Sequence, residues 1–406
     1  MGRARDRTAL RLLVAAFALR ALFLDLALPF GDPLDEHFHF AYASFIAQEH
    51  RLPDLHEMSV ATEFWRPILL LPISSPFAIR KTTWKEFAAL SRGERAERRR
   101  EAYEHVAGER RIYMSPNYEI QQPPLFYLVS SLPLLLFPAA PFDVRFLVGR
   151  FFASALAACA VPLAFRFFRV LFARREALLA TLVLVACPGL GSFLGRFTND
   201  ALAVPIVFAI LTPLMRCAQG HLTGGRAALL GLLLAAGLWT KLYVLILCPV
   251  APLLALFAPS RTRARTLGLA LAAVAASFLA FLPWMLHERA STGDWLGLAE
   301  TRLAHELGLG LRDSIGALPS LLRPVLLSGF MKTFLYPGTW SEIGAASVAA
   351  GVIGLGFIVL LIAPVLGTRS SFSPRRRRLG IAMSCVVLFF LAGQVGHAAT
   401  FAAAAR

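Results

Sequence analysis

The residues best equipped for chemistry lie in one short run, Asp32-Pro33-Leu34-Asp35-Glu36-His37-Phe38-His39-Phe40-Ala41-Tyr42. Adjacent carboxylates repel one another, and where hydration is poor this can raise a pKa into the range of a general base. With His37 and His39 close by, the same carboxylates suit a divalent metal ion. Helix capping is the plain alternative, with Asp32 or Asp35 ahead of a helix and Glu36 in its first turn. Residue types alone leave both readings open.

Three further segments carry polar groups in unusual company. In Tyr118-Glu119-Ile120-Gln121-Gln122-Pro123-Pro124-Leu125-Phe126-Tyr127, the two prolines give an apolar helix a rigid start, because the first helical position needs no amide donor. Arg196-Phe197-Thr198-Asn199-Asp200 reads as a polar turn in which Asn199 or Asp200 could cap the next helix. Thr240-Lys241 places a cation at the end of an apolar run, where a snorkelling lysine is the simple explanation.

The elements that must position these groups are transmembrane helices. Of 406 residues, 57% are hydrophobic and 16% charged, and the mean hydropathy is +0.62. Apolar runs of about 20 residues recur, each long enough to cross roughly 30 Å of hydrocarbon. The fold class expected is all-α, a polytopic membrane protein of about nine spans. Residues 1–28 form the first helix, and 29–143 a long extracytoplasmic loop carrying juxtamembrane helices. A transmembrane core follows at 144–286, a second large external loop at 287–343 and the C-terminal helices at 344–406. Arg3, Arg5 and Arg7 put the N-terminus in the cytoplasm by the positive-inside rule. The Thr8 to Leu28 stretch is read as a span and not a signal peptide, being too long for an h-region and lacking a cleavage site. Pro123 to Phe137 is short for a crossing and is expected to lie along or re-enter the outer face. Arg20 and Asp25 inside the first helix are expected to snorkel outward. The Glu/Arg-rich stretch from Trp84 to Arg111 reads as surface helices with a salt-bridged face.

Several function classes drop out. Cys159, Cys187, Cys217, Cys248 and Cys385 sit singly in apolar segments, which disfavours a disulfide framework or thiolate metal site. The net charge of +16 comes from arginines that punctuate apolar segments, a topological pattern and not a nucleic-acid interface.

The positive-inside path puts all four polar segments on the same side of the membrane without having used any of them. Their order and wording resemble the integral-membrane glycosyltransferases of the C-type fold, a group that includes protein O-mannosyltransferases and aminoarabinose transferases of lipid A. The resemblance covers roughly Leu10 to Val250. It rests on Asp35-Glu36 with His39 and Tyr42, on Gln122-Pro123-Pro124-Leu125 with Tyr127, on Gly149-Arg150, on Asn199-Asp200-Ala201-Leu202 and on Leu238-Trp239-Thr240-Lys241. It implies an inverting transferase of the bacterial inner membrane whose donor is a sugar on a polyprenyl phosphate and whose acceptor, a glycan, lipid or protein, lies outside the cytoplasm. Asp35 is then the expected catalytic acidic residue with Glu36 beside it. His39, Tyr42, Gln122, Arg196, Asp200 and Lys241 are expected to bind substrate, with Lys241 or Arg196 near the leaving phosphate. Asp35 and Asp200 are the candidate ligands of a divalent cation, Mg or Mn. His287-Glu288 and the stretch from Tyr336 to Trp340 could line an acceptor cleft. The Arg-rich insert and the chain beyond Pro283 fall outside the shared pattern. The competing classes are a transporter or lipid flippase, which would place polar sites near mid-bilayer and show an inverted repeat, and a transferase relative without activity.

Overall fold

In the computed structural model the described residues are 2–28, 30–31, 35–55, 57–72, 82–103, 113–187 and 196–297, with isolated positions at 306–308, 313, 316, 380, 384 and 386. Asp32, Val106, Tyr336 to Trp340 and, apart from positions 380, 384 and 386, the expected C-terminal spans lie outside them. The chain divides into two compact units. The first holds the described residues up to 162 and those of 181–205; the second holds those of 163–180 and of 206–297.

The first unit begins with α1 (Gly2–Ala27). At about 1.5 Å per residue its 26 residues cover roughly 39 Å, a bilayer's thickness, although its charged residues keep it off the set of described helices apolar enough to cross. Its two internal charges do not snorkel as expected. Arg20 donates to the carbonyls of Val185 (2.8 Å) and Cys187 (3.0 Å), which lie at the end of α9 (Arg174–Ala186) where helix carbonyls lack internal partners. Asp25 is 1% exposed and accepts from Ser154 at 2.7 Å. Both side chains therefore find protein hydrogen-bond partners, although Asp25 Oδ1 is buried without one.

Helix α2 (Glu36–Glu49) follows, with every residue from His39 to Ile46 buried. A helix covered on all sides along this stretch belongs in a core, here one that also holds the polar side chains of Glu36, His39 and Ser44. It packs against strand β1 (Met58–Ala61) and against α6 (Leu125–Leu135). Strand β1 pairs antiparallel with β2 (Tyr113–Pro116), Val60 opposite Ser115 and Ala61 opposite Tyr113, with irregular register on both sides of Val60. This small ribbon departs from the all-α expectation. Between its strands lie α3 (Trp65–Leu70), α4 (Trp84–Ala89) and α5 (Arg92–Tyr103). Helix α4 starts with a capping box between Thr83 and Glu86, and Ser91 and Glu94 exchange equivalent bonds at the start of α5. Leu71, Phe87 and Ala102 form the small core beneath them, so the charged stretch folds as surface helices up to Tyr103, the rest of it lying outside the described residues.

Helix α6 has 11 residues, about 16 Å of helix, half of what hydrocarbon demands. The helices long and apolar enough to cross a membrane are three among the described residues. They are Phe142–Leu171, built from α7 (Phe142–Ala158) and α8 (Ala160–Leu171), then α10 (Asp200–Ala218) and α13 (Ser260–Thr292). The expected count of about nine is not reached there. The chain is nonetheless a multi-pass membrane protein on its apolar helices.

In the second unit α11 (Gly224–Leu238) and α12 (Leu247–Leu256) both pack on α13. A Cβ at Gly231 would sit 3.0 Å from the carbonyl oxygen of Ala273, so the missing side chain lets two helix backbones approach closely. Trp239 donates to the Ala280 carbonyl at 2.9 Å and fixes the end of α11.

Candidate active site

Asp35 is the residue before α2 and adopts φ 62° and ψ 0°. The left-handed region is uncommon for residues other than glycine, though aspartate and asparagine enter it more readily. Its side chain makes no capping hydrogen bond to α2, so the capping alternative does not account for it. The carboxylate instead meets the hydroxyl of Tyr118.

Glu36, expected beside Asp35 as a second catalytic carboxylate, turns the other way. It is fully buried, and its two oxygens take Arg150 Nε at 2.8 Å and Nη2 at 2.6 Å. The backbone amide of Phe197 donates to it as well, at 3.1 Å. Both oxygens of this buried carboxylate are engaged by protein donors, in the bidentate geometry that a guanidinium favours. Glu36 thus links the start of α2 to Arg150 and to the backbone at Phe197.

Arg150 completes the frame. Its Nη1 donates to the carbonyls of Asp25 (2.8 Å) and Leu28 (2.6 Å), where α1 ends, and its guanidinium lies 4.1 Å from the centre of the Phe146 ring. Gly149 makes room for this packing, because a Cβ there would stand 2.9 Å from Phe197 and 3.0 Å from Phe40. Phe30, Phe40, Phe142 and Phe146 pack edge to face around it, the arrangement that ring quadrupoles favour.

Tyr118 opens a short 3-10 turn, Tyr118–Gln121. Asn117 holds that turn to α2, accepting from the Glu119 amide at 3.0 Å and donating to the Phe38 carbonyl at 2.8 Å. The Tyr118 hydroxyl contacts Glu119 as well as Asp35, and burial together with those two carboxylates raises its pKa well above the usual phenol range. It therefore stays protonated and able to donate.

A buried polar cluster lies behind it. His39 Nδ1 and the Tyr127 hydroxyl are 2.8 Å apart, Tyr127 donates to Glu119 at 3.5 Å, and His39 stands 3.6 Å from Glu119. Asn199 donates to the Tyr127 hydroxyl at 3.5 Å, and the Tyr42 ring stacks on Tyr127 at 4.0 Å. Contacts therefore run from Asp35 through Tyr118, Glu119 and Tyr127 to the turn that carries Asp200. In that turn the Thr198 hydroxyl accepts from the Asp200 amide at 3.0 Å and donates to its carboxylate at 3.4 Å.

Of the residues expected to bind substrate, His39, Tyr42 and Asp200 join this network. Gln122 lies in the same segment with its Oε1 buried and without a hydrogen-bond partner. Arg196 is buried in the same unit, 5% exposed. Lys241 belongs to the second unit, ahead of the 3-10 turn Leu242–Ile246, with its ammonium 5.4 Å from the Tyr243 ring centre. Tyr118 and Glu119 belong to a segment singled out for its polar groups ahead of a helix start, and Asn117 precedes it; none of the three was expected as a site residue.

His37 points elsewhere, its ring 4.0 Å from that of Phe38, and burial pushes its pKa down to about 4. Among the described residues no group of three or more His, Cys, Asp or Glu side chains could hold a metal ion. A cation at Asp35 and Asp200 would thus depend on water and substrate oxygens, as Mg2+ often does.

No curated protein matches the chain. Residues 121–287, less than half of the chain, match the dolichyl-phosphate-mannose-protein mannosyltransferase family, and that match bears out the resemblance to the polyprenyl-phosphate-sugar-dependent membrane glycosyltransferases.

Proposed function

We propose that the chain transfers a sugar from a polyprenyl-phosphate donor to a hydroxyl of an extracytoplasmic acceptor, with Asp35 as the general base. The observation that carries this reading is the setting of Asp35. It stands at a left-handed position, half-exposed, hydrogen-bonded to Tyr118 and next to a neighbour locked by Arg150. The family match supports the donor class.

The chemistry is a displacement at the anomeric carbon. Asp35 takes the proton of the acceptor hydroxyl, the hydroxyl oxygen bonds to carbon, and the carbon–oxygen bond to phosphate breaks. The electron pair leaves on the polyprenyl phosphate. Attack from the face opposite the phosphate inverts the anomeric centre. Arg196 is the proposed cation for the departing phosphate. The protein is proposed to sit in a bacterial inner membrane with its N-terminus in the cytoplasm.

Asp35→Asn tests the reading directly. In reconstituted vesicles supplied with a polyprenyl-phosphate sugar, the variant should insert normally and transfer nothing measurable; undiminished turnover would remove Asp35 from the mechanism. For orientation, Met114→Cys gives an exposed probe in β2, which should react with an impermeant thiol reagent from outside the cell.

A further inference from the structure

The end of α2 farthest from Asp35 borders a cavity of about 400 Å3. Its size falls within the roughly 300–1,000 Å3 typical of small-molecule sites. Ser44, Gln48 and His50 line it from α2 and the residue after it, Leu134 and Pro138 from the end of α6, and Arg145 from α7. Two of these polar groups are deeply buried, Ser44 at 2% and Arg145 at 3% exposure.

Both present an unanswered atom. The Ser44 hydroxyl and Arg145 Nε are buried without a hydrogen-bond partner, although such groups are nearly always paired in native proteins. The charge of Arg145 is already met by Glu63, whose carboxylate takes Nη2 at 2.9 Å. A further anion would therefore gain little there. What remains is a directed N–H, a hydroxyl, an amide and an imidazole beside an apolar wall of Leu134 and Pro138. Groups that both donate and accept match the hydroxyls of a sugar, and the apolar wall matches the C–H face of its ring.

We propose that this cavity binds a neutral polyhydroxyl chain, a glycan segment of the acceptor, held roughly 13–20 Å along α2 from Asp35 at 1.5 Å per helical residue. The proposal rests on the glycosyltransferase reading for its link to the acceptor. One rigid helix then carries the base at one end and a distal sugar at the other, so the length of the acceptor is read against α2.

The test titrates the purified full chain in detergent with a fluorophore-labelled linear hexose pentasaccharide, followed by anisotropy. Binding should saturate, weaken about ten-fold or more in both Ser44→Ala and Gln48→Ala, and persist in Asp35→Asn. Thermal unfolding identifies any variant that fails to fold. Absence of saturable binding, or binding unchanged by both substitutions, overturns the proposal. So does a phospholipid that native mass spectrometry finds on the wild type and not on Ser44→Ala, since the occupant is then a lipid headgroup. Pentasaccharide binding by a protein that transfers no sugar would sink the transferase reading and leave the site standing. Transfer without pentasaccharide binding would do the reverse.

Discussion

Arg150 grips Glu36 through two nitrogens, at 2.8 and 2.6 Å, while its third nitrogen reaches the carbonyls of Asp25 and Leu28. One guanidinium thereby ties the end of α1 to the start of α2, and the loop between them is the one that delivers Asp35. Removing a single partner leaves a buried charge unanswered, at a cost of about 3–5 kcal/mol. Arg150→Met should therefore lower the thermal midpoint sharply. Adding Glu36→Met should recover part of that loss without restoring transfer. Equal stability of the single and double variants would show that the pair is not coupled.

Tyr118→Phe removes the hydroxyl that meets Asp35 and Glu119, while the ring keeps its edge contact with Phe38. A hydrogen bond to a charged group contributes about 1.5–3 kcal/mol, so kcat should fall by roughly ten- to a hundred-fold with the fold intact. A change confined to the donor KM would place Tyr118 in substrate binding instead.

Gly149→Ala asks whether the aromatic packing is as tight as its distances. The added methyl would meet Phe197 and Phe40 at 2.9 and 3.0 Å, closer than carbon atoms pack. The expected destabilisation is about 1–3 kcal/mol, the usual cost of overpacking, read from denaturation in detergent. No change would mean the rings yield freely.

His37 supplies a pH signature. Its folded pKa of about 4 lies below the roughly 6.5 of a free imidazole, so between those values the unfolded chain binds a proton that the folded chain refuses. The stability it confers is complete above about pH 6.5 and fades as pH falls toward 4. His37→Phe should raise stability relative to the parent more at pH 4.5 than at pH 7.5. The same shift at both would remove His37 as the cause.

Chelation addresses the proposed cation. If Asp35 and Asp200 share a divalent ion with the donor phosphate, EDTA should abolish turnover and Mg2+ or Mn2+ should restore it. Full activity in excess chelator would leave Asp35 as a base alone.

Length and hydropathy carried the reading of the membrane helices, because a bilayer imposes one crude requirement that any apolar run of sufficient length meets. Phe142–Leu171 and Ser260–Thr292 were legible for that reason. The union of Glu36 with Arg150 was not, since 114 residues separate them and neither type announces its partner. The same holds for Arg20 and α9. Strand β1, Met58–Ala61, is too short for an alternating pattern. At Asp35 the residue types left capping and chemistry both open, and the left-handed backbone angle found there is something a sequence does not display.

That angle also limits how the position can change. A left-handed residue costs most side chains about 1–2 kcal/mol, and asparagine and glycine are the replacements that fit it best. Glutamate would keep the charge and pay the backbone penalty with its carboxylate displaced by a methylene. Every easy exit from aspartate therefore abandons the acid in a single step, with no weaker acid in between. A lineage under selection for transfer should hold the residue fixed, and one released from that selection should drift first to asparagine or glycine.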